Sequence, residues 1–181
     1  MPAPLSTTSY ALLSLLVLDG GPSDGLTGYE LKQRADFTLR FYWVSPAMSQ
    51  IYTELDRLAA HGCISTDEDT SGRRTTRRYR ITPTGREALT SWLQCPTDDF
   101  PVLKHPIALR LMLGAMMGAD EVTAMLDRYE AALTERRREL EAVREMLGDR
   151  ESVAYAARVA DWGLTFFDAE ADAIAKTRDS L

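Results

Sequence analysis

Eight positions between Val122 and Leu147 recur at alternating steps of four and three residues: Val122, Leu126, Tyr129, Leu133, Arg136, Leu140, Val143 and Leu147. Seven of them are apolar. This is the heptad spacing of a coiled-coil seam, so the stretch must be a long helix whose apolar stripe another helix covers. Gly148-Asp149 interrupts it, and a last helix over 151–177 continues in kind with Tyr155, Val159, Trp162, Phe166 and Ala173. His105–Met117 reads as a shorter apolar helix ended by Gly118, with Asp120 or a neighbour capping the next. The C-terminal half is therefore committed to helix-on-helix packing. Arg136 within the seam either specifies register or marks an exposed break, and the spacing leaves both open.

The first half follows another plan. Thr8–Leu18 is nearly all apolar and too long for a buried strand, so it reads as a core helix. The breaker cluster Gly20–Gly25 follows, then Thr27-Gly28-Tyr29-Glu30, a capping box opening a helix to near Asp36. Phe37, Phe41, Tyr42 and Trp43 crowd the next segment. Ser45-Pro46 restarts a helix, with Ser as N-cap and Pro at the first helical position. Its apolar face is Met48, Ile51, Leu55 and Leu58, while Ser49, Gln50, Thr53 and Asp56 point elsewhere; Gly62 is its stop. Cys63–Thr66 and Arg77–Thr82 form a β-hairpin about Ser71-Gly72, and Thr84-Gly85-Arg86-Glu87 opens a fourth helix to about Gln94. Three helices, a hairpin and a helix make a winged helix-turn-helix.

The expected fold class is thus mainly α with a small β-hairpin. A winged helix-turn-helix over 1–95 precedes a helical dimerisation domain over 96–181 with coiled-coil-like helices, and Cys95–Pro101 is the boundary. The net charge of −6 argues against nucleic acid only while it is taken as evenly spread. Residues 1–95 hold ten basic and ten acidic side chains, so the whole excess of acid lies beyond them. Six arginines fall within 70–86, with Glu87 just outside.

Other classes drop out. The most apolar run, Tyr10–Leu18, is far short of the ~20 residues that span a bilayer, and no basic segment of a secretory signal precedes it. Two cysteines, Cys63 and Cys95, make no disulfide framework, so a reducing cytoplasmic setting is expected. Cys63, Cys95, His61 and His105 lack metal-site spacing, and there is no phosphate loop, nucleophile elbow or zinc-protease motif. No enzyme, metal or cofactor is expected.

The first half resembles the PadR family of bacterial transcriptional regulators. The resemblance is carried by Thr27-Gly28-Tyr29-Glu30-Leu31, by Ser49-Gln50-Ile51-Tyr52 with Leu55, Leu58 and Gly62, and by Arg73-Arg74. It continues through Tyr79-Arg80-Ile81-Thr82, Gly85-Arg86, Leu89 and Trp92-Leu93. Cys63 replaces the usual aliphatic residue, and Thr53 stands where proline is frequent. The second half looks like the helical domain of the longer, virulence-activator type, through Phe100-Pro101-Val102-Leu103 and the Gly163-containing helix. The resemblance implies a homodimer on a pseudo-palindromic operator, often responding to a small molecule, and here a repressor. An activator without effector and a protein-interaction adaptor are the alternatives.

Candidate DNA-binding residues follow. Arg73, Arg74, Arg77 and Arg78 lie on the hairpin, although strand alternation puts Arg78 and Arg80 on one face and Arg77 and Tyr79 on the other. Ser49, Gln50 and Thr53 lie at the N-terminal half of the third helix, which enters the major groove; Gln50 suits adenine. The resemblance points Tyr52 at a phosphate, and Tyr29 suits either the backbone or the core. Lys32 and Arg34 are weaker candidates. The expected dimer interface is Leu126, Tyr129, Leu133, Leu140, Val143, Leu147, Val159, Trp162 and Phe166. A pocket for a small aromatic effector, built with Trp92, Trp162 and Phe166, competes for the same aromatics. The expected partners are double-stranded DNA and a second copy of the chain, with no membrane.

Overall fold

The apolar run near the N-terminus forms α1 (Thr7–Val17), capped by Ser6, whose hydroxyl accepts from the Ser9 amide. Leu12, Leu13, Leu15 and Leu16 are all buried, as befits a helix enclosed on most sides. The computed structural model describes residues 5–18, 24–41, 43–69, 76–96 and 104–181. They divide into two compact units, Met1–Asp98 and Asp99–Leu181.

In the first unit β1 (Leu26–Thr27) leads into α2 (Gly28–Thr38), then α3 (Met48–Ala60), β2 (Ile64–Asp69), β3 (Thr76–Ile81) and α4 (Pro83–Gln94). The expected capping box of α2 is present: Thr27 Oγ1 accepts from the Glu30 amide at 3.1 Å, and Glu30 accepts from the Thr27 amide at 2.7 Å. Ile51, Leu55 and Leu58 of α3 join α1, Leu31 and Ala35 in one core, with Met48 packed at its edge. Each such buried aliphatic side chain contributes about 1.5–3 kcal/mol. Gly62, at φ +67°, ends α3 as expected. The Arg34 guanidinium donates to the carbonyls of Leu15 and Leu18 and so closes the C-terminus of α1.

Three local expectations shift. The hairpin gains a third strand, in the antiparallel order β1-β3-β2, because Leu26 is drawn into the core and its backbone pairs with Tyr79. Helix α3 starts two residues beyond Pro46: Ser45 donates to Asp36 at 2.6 Å, and Gln50 Oε1 caps the Ala47 amide at 3.0 Å instead. The Lys32 ammonium, with Ser45, holds the Asp36 carboxyl below its usual range. Helix α4 starts earlier than expected, with Thr82 as N-cap and Pro83 in its first turn.

The second unit contains α5 (Pro106–Leu111), α6 (Ala119–Leu147) and α7 (Ala154–Asp179), with 3-10 turns at Gly114–Met116 and Glu151–Val153. The apolar helix expected over 105–117 ends at Leu111. Its Leu109 and Met112, with Leu113 and Met116 beyond, are exposed, so this segment lacks a buried stripe within its own unit. Helices α6 and α7 pack antiparallel: Arg137 meets Asp168, Arg144 meets Asp161, and Arg178 meets Asp127 and Glu130. Leu126, Leu133, Leu140 and Val143 are buried there against Ala157, Ala160, Phe167 and Ile174. A side chain on Gly163 would reach Leu140 Cδ2 at 2.8 Å, so the helices touch closely at that level.

Tyr129 donates to Glu170 at 3.1 Å and lies 3.2 Å from His105 Nε2. Burial first, then the Glu170 carboxylate, pushes the phenol up to about 12. A raised phenol pKa means that neutral Tyr129 stabilises the fold fully below pH ~10 and loses this as pH rises through about 12. In alkaline unfolding the Tyr129→Phe protein should accordingly lose less stability than the wild type between pH 10 and 12. Parallel curves would contradict this.

Candidate nucleic-acid interface

Helix α3 presents Ser49, Gln50, Tyr52 and Thr53 to solvent, opposite its buried face. Thr53 donates its hydroxyl to the Ser49 carbonyl at 3.0 Å, leaving its oxygen as an acceptor. Gln50 is exposed, yet its amide oxygen caps α3. Bidentate pairing with adenine needs that oxygen, so Gln50 must first release the Ala47 amide.

Beside this face an open cleft of about 550 Å³ is lined by Thr27, Gly28, Tyr29, Tyr52, Asp56, Glu68, Thr76, Arg77 and Tyr79. It brings the start of α2, the middle of α3 and the base of the wing together. Tyr52 lies against Gly28, where a Cβ would come within 2.8 Å of the ring. Tyr29 is 63% exposed and accepts from Gln33, which excludes the core role left open by its sequence position. Tyr79 is buried beneath the cleft, and Arg77 stands on the same strand face, paired with Glu68 at 3.3 Å.

The other expected cations divide. Arg78 departs from its expected place on a DNA-facing surface: it donates to the Gly25 carbonyl and pairs with Asp24 and Glu30. Arg80 pairs with Asp67, and Lys32 with Asp36. Arg34 is occupied at the end of α1. Arg73 and Arg74, expected at the wing tip, lie outside the described residues, as do Tyr42 and 100–103.

Two neighbours escaped the sequence. Thr8 of α1 joins Ser49, Gln50, Thr53 and Glu54 around a smaller hollow of about 180 Å³. Glu54 accepts from Ser6 at 2.8 Å and also from Ser9, tying α1 to α3. Nothing in the pattern of α1 signals a carboxylate partner some 45 residues away.

Residues 15–91 match the Transcriptional regulator PadR-like family. Through this unit, the chain is similar to the PadR-like family of transcriptional regulators. Solved structures extend the likeness to the whole fold. Bacillus subtilis PadR in complex with operator DNA superposes with TM-score 0.82 at 20% identity, over 97% of this chain and 99% of that one. The same protein in complex with p-coumaric acid gives 0.76 at 20% identity, over 97% and 98%. The Vibrio cholerae virulence activator AphA gives 0.71 at 17% identity, over 96% and 97%. A search of curated proteins found no matching relative. Among the described residues no helix is long and apolar enough to cross a membrane.

In this PadR-like chain the residues expected at the interface between copies fall into two sets. Leu126, Leu133, Leu140 and Val143 are buried inside their own unit, Tyr129 and Leu147 partly so. The seam is closed within the chain, which corrects its assignment to a partner helix. Trp162 and Phe166 are 72% and 50% exposed, Val159 lies between them and Tyr155 on α7, and this stripe remains open in the unit. Trp92, expected in an effector pocket, stacks on Tyr10 of α1 with ring centroids 4.8 Å apart.

Proposed function

We propose that this PadR-like regulator is a homodimeric, ligand-responsive repressor that binds a pseudo-palindromic operator in the cytoplasm. The observation that carries the DNA-binding part is the cleft, where Tyr29, Tyr52 and Arg77 border the exposed face of α3. The polar face of α3 enters the major groove, with Ser49, Thr53 and a released Gln50 toward base edges. Tyr29, Tyr52 and Arg77 take phosphates, and Arg73 and Arg74 extend the grip at the wing tip. Glu68 in the cleft keeps Arg77 paired until a phosphate replaces it.

Two copies pair through the aromatic stripe of α7, with 1–95 as the reading domain and 96–181 as the pairing domain. A dimer reads two half-sites about 34 Å apart, so an effector that rotates one reading head loses one half-site. The aromatic residues of the chain, together with the p-coumaric acid bound by a protein of the same fold, support an aromatic acid as effector.

The test is fluorescence anisotropy with a duplex taken from immediately upstream of this chain's own coding sequence, titrated at several salt concentrations. Wild type should bind this duplex more tightly than an unrelated one, and affinity should fall steeply with salt. Arg77→Ala should lower the slope of log affinity against log salt by about 1, and Arg73→Ala with Arg74→Ala by about 2. Addition of p-coumaric acid should release the duplex. Binding that is absent, or indifferent to salt and to these arginines, would sink the repressor reading.

A further inference from the structure

Arg78 stands on β3 directly opposite Thr27 of β1, in a pairing only two residues long: Leu26 with Tyr79, and Thr27 with Arg78. So short a pairing is a weak fastening for a wing. The Arg78 guanidinium adds to it. Its Nη1 donates to the Gly25 carbonyl at 3.0 Å, and lies 3.5 Å from Glu30 Oε2 and 3.6 Å from Asp24 Oδ2. The same Glu30 oxygen accepts from the Thr27 amide, so one carboxylate serves both the cap of α2 and the wing.

The backbone beneath is equally tight. Gly25 has φ +80°, and a Cβ there would meet the Tyr79 carbonyl at 2.6 Å. Arg77, the next residue along β3, is on the opposite strand face, lining the cleft with its side chain 60% exposed. Arg78 is 28% exposed and faces two carboxylates. Turning it to a phosphate would strip both acids of their counter-charge and release the wing from α2.

We infer that Arg78 is a positioning residue which, with Asp24 and Glu30 as counter-charges, sets the angle of the wing against α2 and α3 without itself contacting DNA. This rests on the DNA-binding reading above. It makes a prediction of unusual sign. Removing an acid near a DNA-binding face ordinarily tightens binding, because it removes repulsion of the phosphates. Here removing Asp24 and Glu30 together loosens the wing, so specific binding weakens.

The experiment uses the full chain, the upstream duplex described above and an unrelated duplex, between 50 and 200 mM salt. Asp24→Asn with Glu30→Gln keeps the α2 cap, because glutamine serves at that position as well as glutamate. This double variant should bind the upstream duplex about fivefold more weakly than wild type, the upper end for an exposed ion pair. Arg78→Gln should lose affinity similarly and keep the wild-type salt slope, whereas Arg77→Ala flattens it. Tighter or unchanged binding by the double variant overturns the inference, as does a slope lowered by about 1 in Arg78→Gln. If Arg78→Gln fails to fold by circular dichroism, the acid variant alone decides. Wild type binding no duplex at any salt overturns the DNA-binding reading itself, and this inference with it.

Discussion

Gly85→Ala is expected to collapse the winged-helix unit, although alanine in place of glycine within a helix is ordinarily worth about 1 kcal/mol of stability. Gly85 lies in the first turn of α4, where its amide donates to the capping Thr82 hydroxyl. A Cβ at this position would sit 2.1 Å from the Cys63 carbonyl oxygen and 2.9 Å from Ile81 Cγ1. The oxygen cannot retreat freely, because it already accepts from the Thr82 amide at 3.0 Å, while the Thr82 hydroxyl donates to Gly62. Backbone meets backbone across the start of the wing. Overpacking of this kind costs about 3 kcal/mol or more, beyond the propensity gain. For a unit of this size that lowers the melting temperature by roughly 10–20 °C. Gly163→Ala is the control: its Cβ meets only the flexible end of Leu140, so stability should change little. Equal melting temperatures for Gly85→Ala and wild type would refute the argument.

Trp162→Glu combined with Phe166→Glu should turn the proposed dimer into a folded monomer. Both side chains are largely exposed within their own unit, so charging them costs little packing in the protomer. Across an interface the same changes bury two carboxylates where aromatic anchors packed. Each such anchor carries about 2–4 kcal/mol, which for the pair weakens pairing more than a hundredfold. Sedimentation should show monomer at concentrations where wild type is a dimer, with helical content unchanged. Affinity for the upstream duplex should fall sharply too, since a single reading head holds only one half-site. A double variant that still sediments as a dimer would place the interface elsewhere, with the exposed Leu109, Met112, Leu113 and Met116 the next surface to charge.

Features set by neighbours in sequence were legible before the fold was known. Thr27 and Glu30 are three residues apart, and their reciprocal cap needs nothing from elsewhere. The 3-4-3 spacing of Met48, Ile51, Leu55 and Leu58 likewise oriented α3 and thereby its polar face. Misjudged features depended on distant partners. Ser45 is a good N-cap in isolation, but Asp36 and Lys32 of α2 claim its hydroxyl. Leu26-Thr27 is too short to read as a strand until β3 arrives beside it. The heptad over 122–147 declared that a helix would cover it without saying whose, and α7 of the same chain does. The candidate site divides in the same way. Strand alternation put Arg77 and Arg78 on opposite faces, yet only the approach of Asp24 and Glu30, some fifty residues upstream, shows that Arg78 is occupied.

The internal closure of that heptad bears on how the protein comes into being. Helices α6 and α7 follow one another in sequence, joined across Gly148, and pack on each other as a helical hairpin. Such local topology forms rapidly, without waiting for distant segments to meet. Each newly made copy therefore completes its helical hairpin alone, with its leucines already covered. In the proposed dimer, what it then offers a partner is a finished surface. Pairing of that kind is a matter of concentration after folding, so old and new copies would exchange partners without either one unfolding.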